Sequence, residues 1–197
     1  MRATHGRINQ LFLWCVVFMD DNEDLKLVSE SRQGNRESFE RLLKRYEKPI
    51  FNAAYRVLHD YEDAKDITQN VFLKAFENLD QFDSKHRFFS WIYRIALNES
   101  INLCKSRKPL GTAEDTRVEE RNTPEKLLNR RELSGVVQAA LMSLGFEYRM
   151  VIVLRHFSEC SYREMSDILE IPEKTVKSRL FTARGLLREI LSERGIL

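Results

Sequence analysis

Lys174, Lys177, Phe181, Arg184 and Arg188, with Ser178 at the edge, recur at a spacing that puts them on one arc of a helix turning about 100° per residue. Cations on such an arc can address phosphates and guanine edges, and an aromatic among them can pack on a thymine methyl. A basic helix face alone is explained equally well by solvation. Phe181 is not, because a large aromatic gains nothing from exposure to water. The chemistry these residues support is recognition of duplex DNA through the major groove. Arg155, upstream of them, is placed to add a backbone contact that fixes register.

The elements that must position this arc are legible nearby. Ser161 and Glu164 have the spacing of a capping box, so a helix starts there. Met165, Ile168 and Leu169 give it an apolar stripe, and Glu170-Ile171-Pro172 ends it, since a proline disfavours helical geometry in the residue before it. Val176, Leu180, Ala183 and Leu187 then recur at helical spacing and anchor a second helix, which makes Tyr162 to Arg188 a helix-turn-helix.

Upstream, Thr123-Pro124 reads as the cap and first turn of a helix carrying Leu127, Leu128, Val136, Val137, Ala140, Leu141 and Leu144, stopped at Gly145. Met150, Val153, Leu154 and Phe157 predict a short further helix. Pro109 and Pro124 bracket a polar stretch that reads as a linker over 109–122. Before it, one amphipathic helix runs from Phe39 to Val57 with a bend expected at Pro49. Ala64, Ile67, Val71, Ala75 and Leu79 mark another, and Trp91, Ile92, Ile95 and Ala96 begin a third. The expected fold is all-α: two small helical domains joined by a flexible linker, the C-terminal one containing the helix-turn-helix.

Two further surfaces stand out in the first domain. The helix from Glu62 to Leu79 has a polar face of Asp66, Gln69, Asn70 and Glu77 with Leu73 at its middle, which resembles the apolar centre and polar rim of a protein interface. The segment FDSKHRFFSWIYRIALN, Phe82 to Asn98, alternates aromatics with basic and small polar residues, a composition suited to stacking on unpaired bases while cations hold the phosphates. Trp91 and Ile95 are expected in the core, and Phe88, Phe89 and Tyr93 against bases. Positive charge concentrates here: Lys85, Arg87, Arg94, Lys105, Arg107 and Lys108 face only Asp83 and Glu99 between Gln81 and Lys108.

Composition narrows the class. The chain has 197 residues, 43% of them hydrophobic, and a formal net charge of +2, so any electrostatic footprint on nucleic acid must be local. Cys15, Cys104 and Cys160 are far apart and form no metal spacing, which predicts reduced structural thiols in a cytoplasmic protein. Leu11 to Met19 is strongly apolar but far short of the ~20 residues that span a bilayer, so no membrane insertion is expected. Acidic residues follow that run and no small-residue cleavage site appears. The expectation is therefore that residues 1–22 are an N-terminal extension, that Met19 is the physiological start and that Met1 to Phe18 is dispensable. His5, His59, His86 and His156 are scattered, and no P-loop, metal cluster or nucleophile-base arrangement is present, so neither catalysis nor a cofactor is expected.

With these motifs in view, the chain resembles an extracytoplasmic-function sigma factor, the compact branch of the sigma-70 family that gives bacterial RNA polymerase its promoter specificity. DAKDITQNVFLKAF resembles the family's core-binding segment, FFSWIYRIALN its promoter-melting segment, and SYREMSDILEIPEKTVKSRLFTAR its reader of the minus-thirty-five element. The resemblance implies sigma region 2 over 23–108 and sigma region 4 over 123–197. Asp66, Gln69, Asn70 and Leu73 would dock on the core polymerase. Lys85, Arg87, Phe88, Phe89, Tyr93, Asn98, Asn102 and Lys105 would meet minus-ten DNA. Arg155, Thr175, Lys177, Ser178, Phe181, Thr182 and Arg184 would meet the minus-thirty-five groove. Glu170 stands where the family commonly has glycine. Promoter DNA, core polymerase and an anti-sigma factor are the implied partners, with a stress or envelope-response regulon. A stand-alone helix-turn-helix regulator is the alternative, and it accounts for only the last third of the chain. A helical adaptor without a nucleic-acid role is a third reading, which leaves Phe181 unexplained.

Overall fold

The computed structural model describes residues 21–106 and 126–196. Within them the chain is helical, with no strand: α1 (Asp21–Arg32), α2 (Arg36–Leu58), α3 (Tyr61–Glu77), α4 (Phe88–Ser106), α5 (Lys126–Ser143), α6 (Phe146–Ile152), α7 (Tyr162–Leu169) and α8 (Glu173–Glu193). A 3-10 turn, Leu79–Gln81, precedes α4, and a π-helical turn, Val153–Phe157, continues α6. The architecture is the expected all-α pair of domains. The apolar run at Leu11 to Met19, the linker at 109–122 and the Thr123-Pro124 cap lie outside the described residues. Asp21 and Asn22, read from the sequence as the end of an extension, instead form the first turn of α1.

Local chemistry sets the helix ends. The Asn35 side chain caps α2 by accepting the Ser38 N–H at 3.2 Å, and Asp60 caps α3 by accepting the Asp63 N–H at 2.9 Å. Pro49 lies buried inside α2, and the assigned helix runs unbroken through it. Leu42, Tyr46, Ile50 and Val57 of α2 share one buried side with Ala64, Val71 and Ala75 of α3 and Ile92 and Ala96 of α4. Beneath α1, Asp24 is buried and accepts from the Tyr46 hydroxyl and from Arg45. Burial pushes its carboxyl above the ordinary value, and those two donors oppose the shift.

In the second domain the capping box forms as its spacing implied. Glu164 N–H meets the Ser161 hydroxyl at 3.2 Å and Ser161 N–H meets the Glu164 carboxylate at 2.7 Å. α7 ends at Glu170, whose φ of 53° lies in the left-handed region where glycine carries no Cβ penalty. α8 follows Pro172 and turns Val176, Leu180 and Ala183 into the core.

The two domains pack into a common core, and a buried arginine joins them. Arg149 of α6 donates to Leu141 O at 3.0 Å, Met142 O at 2.9 Å and Leu144 O at 3.1 Å at the end of α5, and to Val57 O at 2.6 Å at the end of α2. These include carbonyls left without helical partners at C-terminal turns, where a cation also complements the helix dipole. Beside it, Arg56 donates to Gln138 at 2.9 Å while Gln138 donates back to Arg56 O at 3.1 Å.

Leu180 and Phe181 are neighbours with opposite fates, 1% and 82% exposed. Leu180→Ala should cost about 2 to 5 kcal/mol through a core cavity. Phe181→Ala should stay within about 0.5 kcal/mol, as surface changes do. Thermal melts of the two variants check this.

Candidate nucleic-acid interface

The outer side of α8 carries Lys177, Ser178, Phe181, Thr182 and Arg184, all exposed, with Thr175 half-buried at its start. The Ser178 hydroxyl donates to Thr175 O at 3.0 Å. Two cations share one aromatic: Lys177 Nζ and the Arg155 guanidinium each lie 5.3 Å from the centroid of the Tyr162 ring. Arg155 also donates to Cys160 O at 2.8 Å, and Lys177 reaches Glu173 at 3.5 Å. Arg184 Nε donates to His156 Nε2 at 3.3 Å. Packing around His156 and the guanidiniums of Arg184 and Arg155 hold its imidazole below the ordinary value, so the ring stays neutral and accepts. Sequence reasoning missed Tyr162 and His156. Tyr162 was visible as the first residue of the capped helix, but nothing local to it pointed at Lys177, and nothing local to His156 pointed at Arg184.

On α3, Asp66, Gln69, Asn70 and Leu73 are exposed together, and Leu73 shows 61% of its surface. Phe76, missed in the sequence, extends this apolar centre at 59% exposure and meets Phe39 of α2 edge-on at 5.1 Å. Lys74 pairs with Glu99 at 2.6 Å and ties the surface to α4.

The third surface is a loop and the helix after it. Arg32 at the exposed end of α1 holds the loop, donating to Leu79 O at 2.8 Å, to Asp80 O at 3.3 Å and to Phe82 O. Asp83 then accepts the Lys85 N–H at 2.9 Å, which turns Lys85 outward into solvent. Asn98, Asn102 and Lys105 are exposed at helical spacing on α4. Arg87 is half-buried, in ion pairs with Asp21 at 2.7 Å and with Glu164.

Phe88, Phe89 and Tyr93 require correction. All three are buried, 2%, 3% and 3% exposed, and none presents a face to a base. Phe88 sits between Tyr46 at 5.3 Å, Trp91 at 5.5 Å and Phe82 at 5.7 Å, and Phe89 packs on Tyr93 at 4.3 Å. Ring pairs of this kind add to the gain from removing aromatic area from water, so these side chains hold the helix rather than wait for DNA. Trp91, expected in the core, is only half-buried.

Residues 42–109 match the family described as Sigma-70 region 2, and residues 134–187 the family described as Sigma-70, region 4. The chain is 33% identical to the ECF RNA polymerase sigma factor SigW of Bacillus subtilis over 180 residues, covering 85% of this chain and 96% of that protein. It is 32% identical to the ECF RNA polymerase sigma-E factor of Escherichia coli K12, covering 82% of this chain and 90% of that protein. The chain belongs to the extracytoplasmic-function sigma factors.

This sigma factor also shares its fold with solved structures. One, of CnrH in complex with the cytosolic domain of CnrY, is 27% identical with a TM-score of 0.70, covering 87% of this chain and 98% of that one. Another, of the sigma factor RpoE of Bartonella quintana, has a TM-score of 0.66 at 22% identity, covering 79% of this chain and 98% of that one. As a sigma factor the protein directs transcription initiation with core RNA polymerase at promoter DNA. Among the described residues no cluster of His, Cys, Asp and Glu is fit to hold a metal ion, and no helix is long and apolar enough to cross a membrane.

Burial of the α4 aromatics changes what their removal should do. Phe88→Ala should cost about 3 to 5 kcal/mol of stability in a thermal melt. Its transcription defect should be as large on pre-melted templates as on duplex ones.

Proposed function

We propose that this sigma factor divides promoter recognition between two domains, with 23–108 binding polymerase and the minus-ten element and 123–197 reading minus thirty-five. The observation that carries the second assignment is Phe181, 82% exposed between Lys177 and Arg184 while Val176, Leu180 and Ala183 hold the opposite side of α8. An exposed aromatic set between two cations matches what a major groove offers, thymine methyls beside guanine edges and phosphates. Lys177, Ser178, Phe181, Thr182 and Arg184 face the bases or their phosphates, and Arg155 and Thr175 flank them.

In the first domain Asp66, Gln69 and Asn70 rim an apolar centre of Leu73 and Phe76 that docks on the core polymerase. Lys85, Arg87, Asn98, Asn102 and Lys105 take the minus-ten DNA. With Phe88, Phe89 and Tyr93 withdrawn from stacking, this surface works through cations and amides, and the loop held by Arg32 presents Lys85 to the displaced strand. Each domain binds modestly, and the linker with the shared polymerase surface makes the second contact effectively intramolecular. The chemistry of RNA synthesis belongs to the polymerase, and no cofactor is assigned. The Bartonella quintana RpoE structure contains the anti-sigma factor NepR, and the CnrH structure contains a cytosolic segment of CnrY. An anti-sigma factor is proposed here in the same sense, acting on a cytoplasmic protein that serves a stress or envelope-response regulon.

The decisive experiment is transcription in vitro by the reconstituted holoenzyme from a panel of minus-thirty-five variants. Lys177→Ala or Arg184→Ala should cost about 1 to 3 kcal/mol at cognate promoters and relax base preference at the contacted position. Uniformly weaker transcription with unchanged preference would reduce these residues to phosphate contacts. On α3, Leu73→Arg should leave the melt unchanged and weaken capture of core polymerase. Undiminished capture would remove that surface from the mechanism.

A further inference from the structure

Cations along α8 take partners of two kinds. Lys177 lies 3.5 Å from Glu173, and Arg179 pairs with Glu147 at 2.9 Å. Arg184 has no carboxylate partner among the described residues, and donates its Nε–H to Nε2 of His156 at 3.3 Å instead. Beside DNA the two kinds are not equivalent. A carboxylate cancels part of the cation's charge and repels phosphates, whereas a neutral imidazole accepts the N–H and leaves the positive charge whole. Packing around His156 and the guanidiniums of Arg184 and Arg155 hold its pKa below the ordinary value, so the ring is neutral, with its proton on Nδ1 and Nε2 able to accept.

The backbone that carries His156 is fixed on both sides. It belongs to the π-helical turn Val153–Phe157, closed by the Ser158 N–H donating to Val153 O at 3.0 Å, and Val153 and Leu154 within it are 0% exposed. Arg155, the residue before His156, donates to Cys160 O, and Phe157, the residue after it, lies 4.7 Å from the Arg56 guanidinium of α2. Turns of this kind insert a residue into a helix and recur at functional sites. Here consecutive side chains reach two helices, Arg155 towards Tyr162 of α7 and His156 towards Arg184 of α8.

What this bond leaves over decides its use. A guanidinium offers two forks of N–H groups, Nε with one Nη and the outer pair of Nη groups. With Nε–H given to His156, the outer pair remains, on a side chain already restrained. Such a fork addresses O6 and N7 of one guanine together. We infer that His156 is a positioning residue for minus-thirty-five readout: by accepting the Nε–H of Arg184, it aims the outer guanidinium fork at a guanine edge in the major groove. The inference rests on the proposed assignment of Arg184 to the minus-thirty-five groove. Restraint before binding removes part of the cost of ordering a long side chain, which amounts to about three- to ten-fold in discrimination at the contacted base pair.

The test is transcription in vitro by reconstituted holoenzyme, from a promoter mapped with that holoenzyme and its single-base minus-thirty-five variants. His156→Phe keeps a ring and removes the acceptor, and His156→Gln puts an uncharged amide oxygen near the place of Nε2. His156 is exposed, so both variants should melt as the parent does. His156→Phe should lower discrimination about three- to ten-fold at the base pair where Arg184→Ala relaxes it, and leave discrimination elsewhere unchanged. His156→Gln should retain most of it, and His156→Phe should add nothing in an Arg184→Ala background, the coupling expected of two groups acting as one. Parental discrimination in His156→Phe, with Arg184→Ala relaxed, overturns the positioning and leaves Arg184 a reader. Uniformly weaker transcription in His156→Phe with preference unchanged also overturns it, since the histidine would then serve the phosphates. If Arg184→Ala relaxes no position, the assignment of Arg184 to a base fails, and the positioning falls with it.

Discussion

A guanidinium removed from water must find acceptors, and Arg149 finds four, on the last turns of two helices that belong to different domains. Burial pushes its pKa down, yet an arginine this basic keeps its charge, so its N–H groups must find acceptors inside, and here these are backbone carbonyls. Helix C-termini are where a protein has carbonyls to spare. The ends of α2 and α5 therefore have to meet at α6, and the packing of α6 and α8 follows from that meeting. The reciprocal pair of Arg56 and Gln138 repeats the arrangement at the rim, and Arg56 lies 4.7 Å from the Phe157 ring. A buried cation of this kind specifies position more than it stabilises, because loss of any acceptor is costly while an apolar replacement would not be.

Around that joint, each functional helix does two jobs on two sides. α8 buries Val176, Leu180 and Ala183 and exposes Lys177, Phe181 and Arg184. α3 buries Ala64, Val71 and Ala75 and exposes Leu73 and Phe76. The exposed residues are not left to flop. Tyr162 sits under Lys177 and Arg155, and His156 accepts from Arg184, so the long cationic side chains lose part of their freedom before any partner arrives. α4 departs from this pattern. It is buried on a wide arc, is held by Arg32 and Arg87 at its entrance, and offers Asn98, Asn102 and Lys105 along its outer edge.

By itself the sequence determined the helix-turn-helix, because every signal for it is local: Ser161 and Glu164 three apart, Pro172 after the turn, and an apolar stripe of period 3.6 on α8 that leaves Phe181 outside. The same holds for Leu73, whose exposure follows from the stripe of Ala64, Ile67, Val71 and Ala75 on the other side of α3. Only the tertiary structure decided the fate of Phe88, Phe89 and Tyr93. Aromatics fill two adjacent stripes of α4, and which stripe meets water depends on Tyr46 from α2, 42 positions upstream of Phe88, a partner no local pattern names. α1 was equally illegible, since its buried set is Leu27, Val28 and an aspartate whose place inside depends on Tyr46 and Arg45. The occupation of Arg87 and Arg94 by α7 is the extreme case, joining residues 77 and 76 positions apart. Periodicity reports which side of a helix is apolar, because that is a property of consecutive residues. What covers that side, and which charges it brings within reach of each other, is set by chain segments whose proximity exists only after folding.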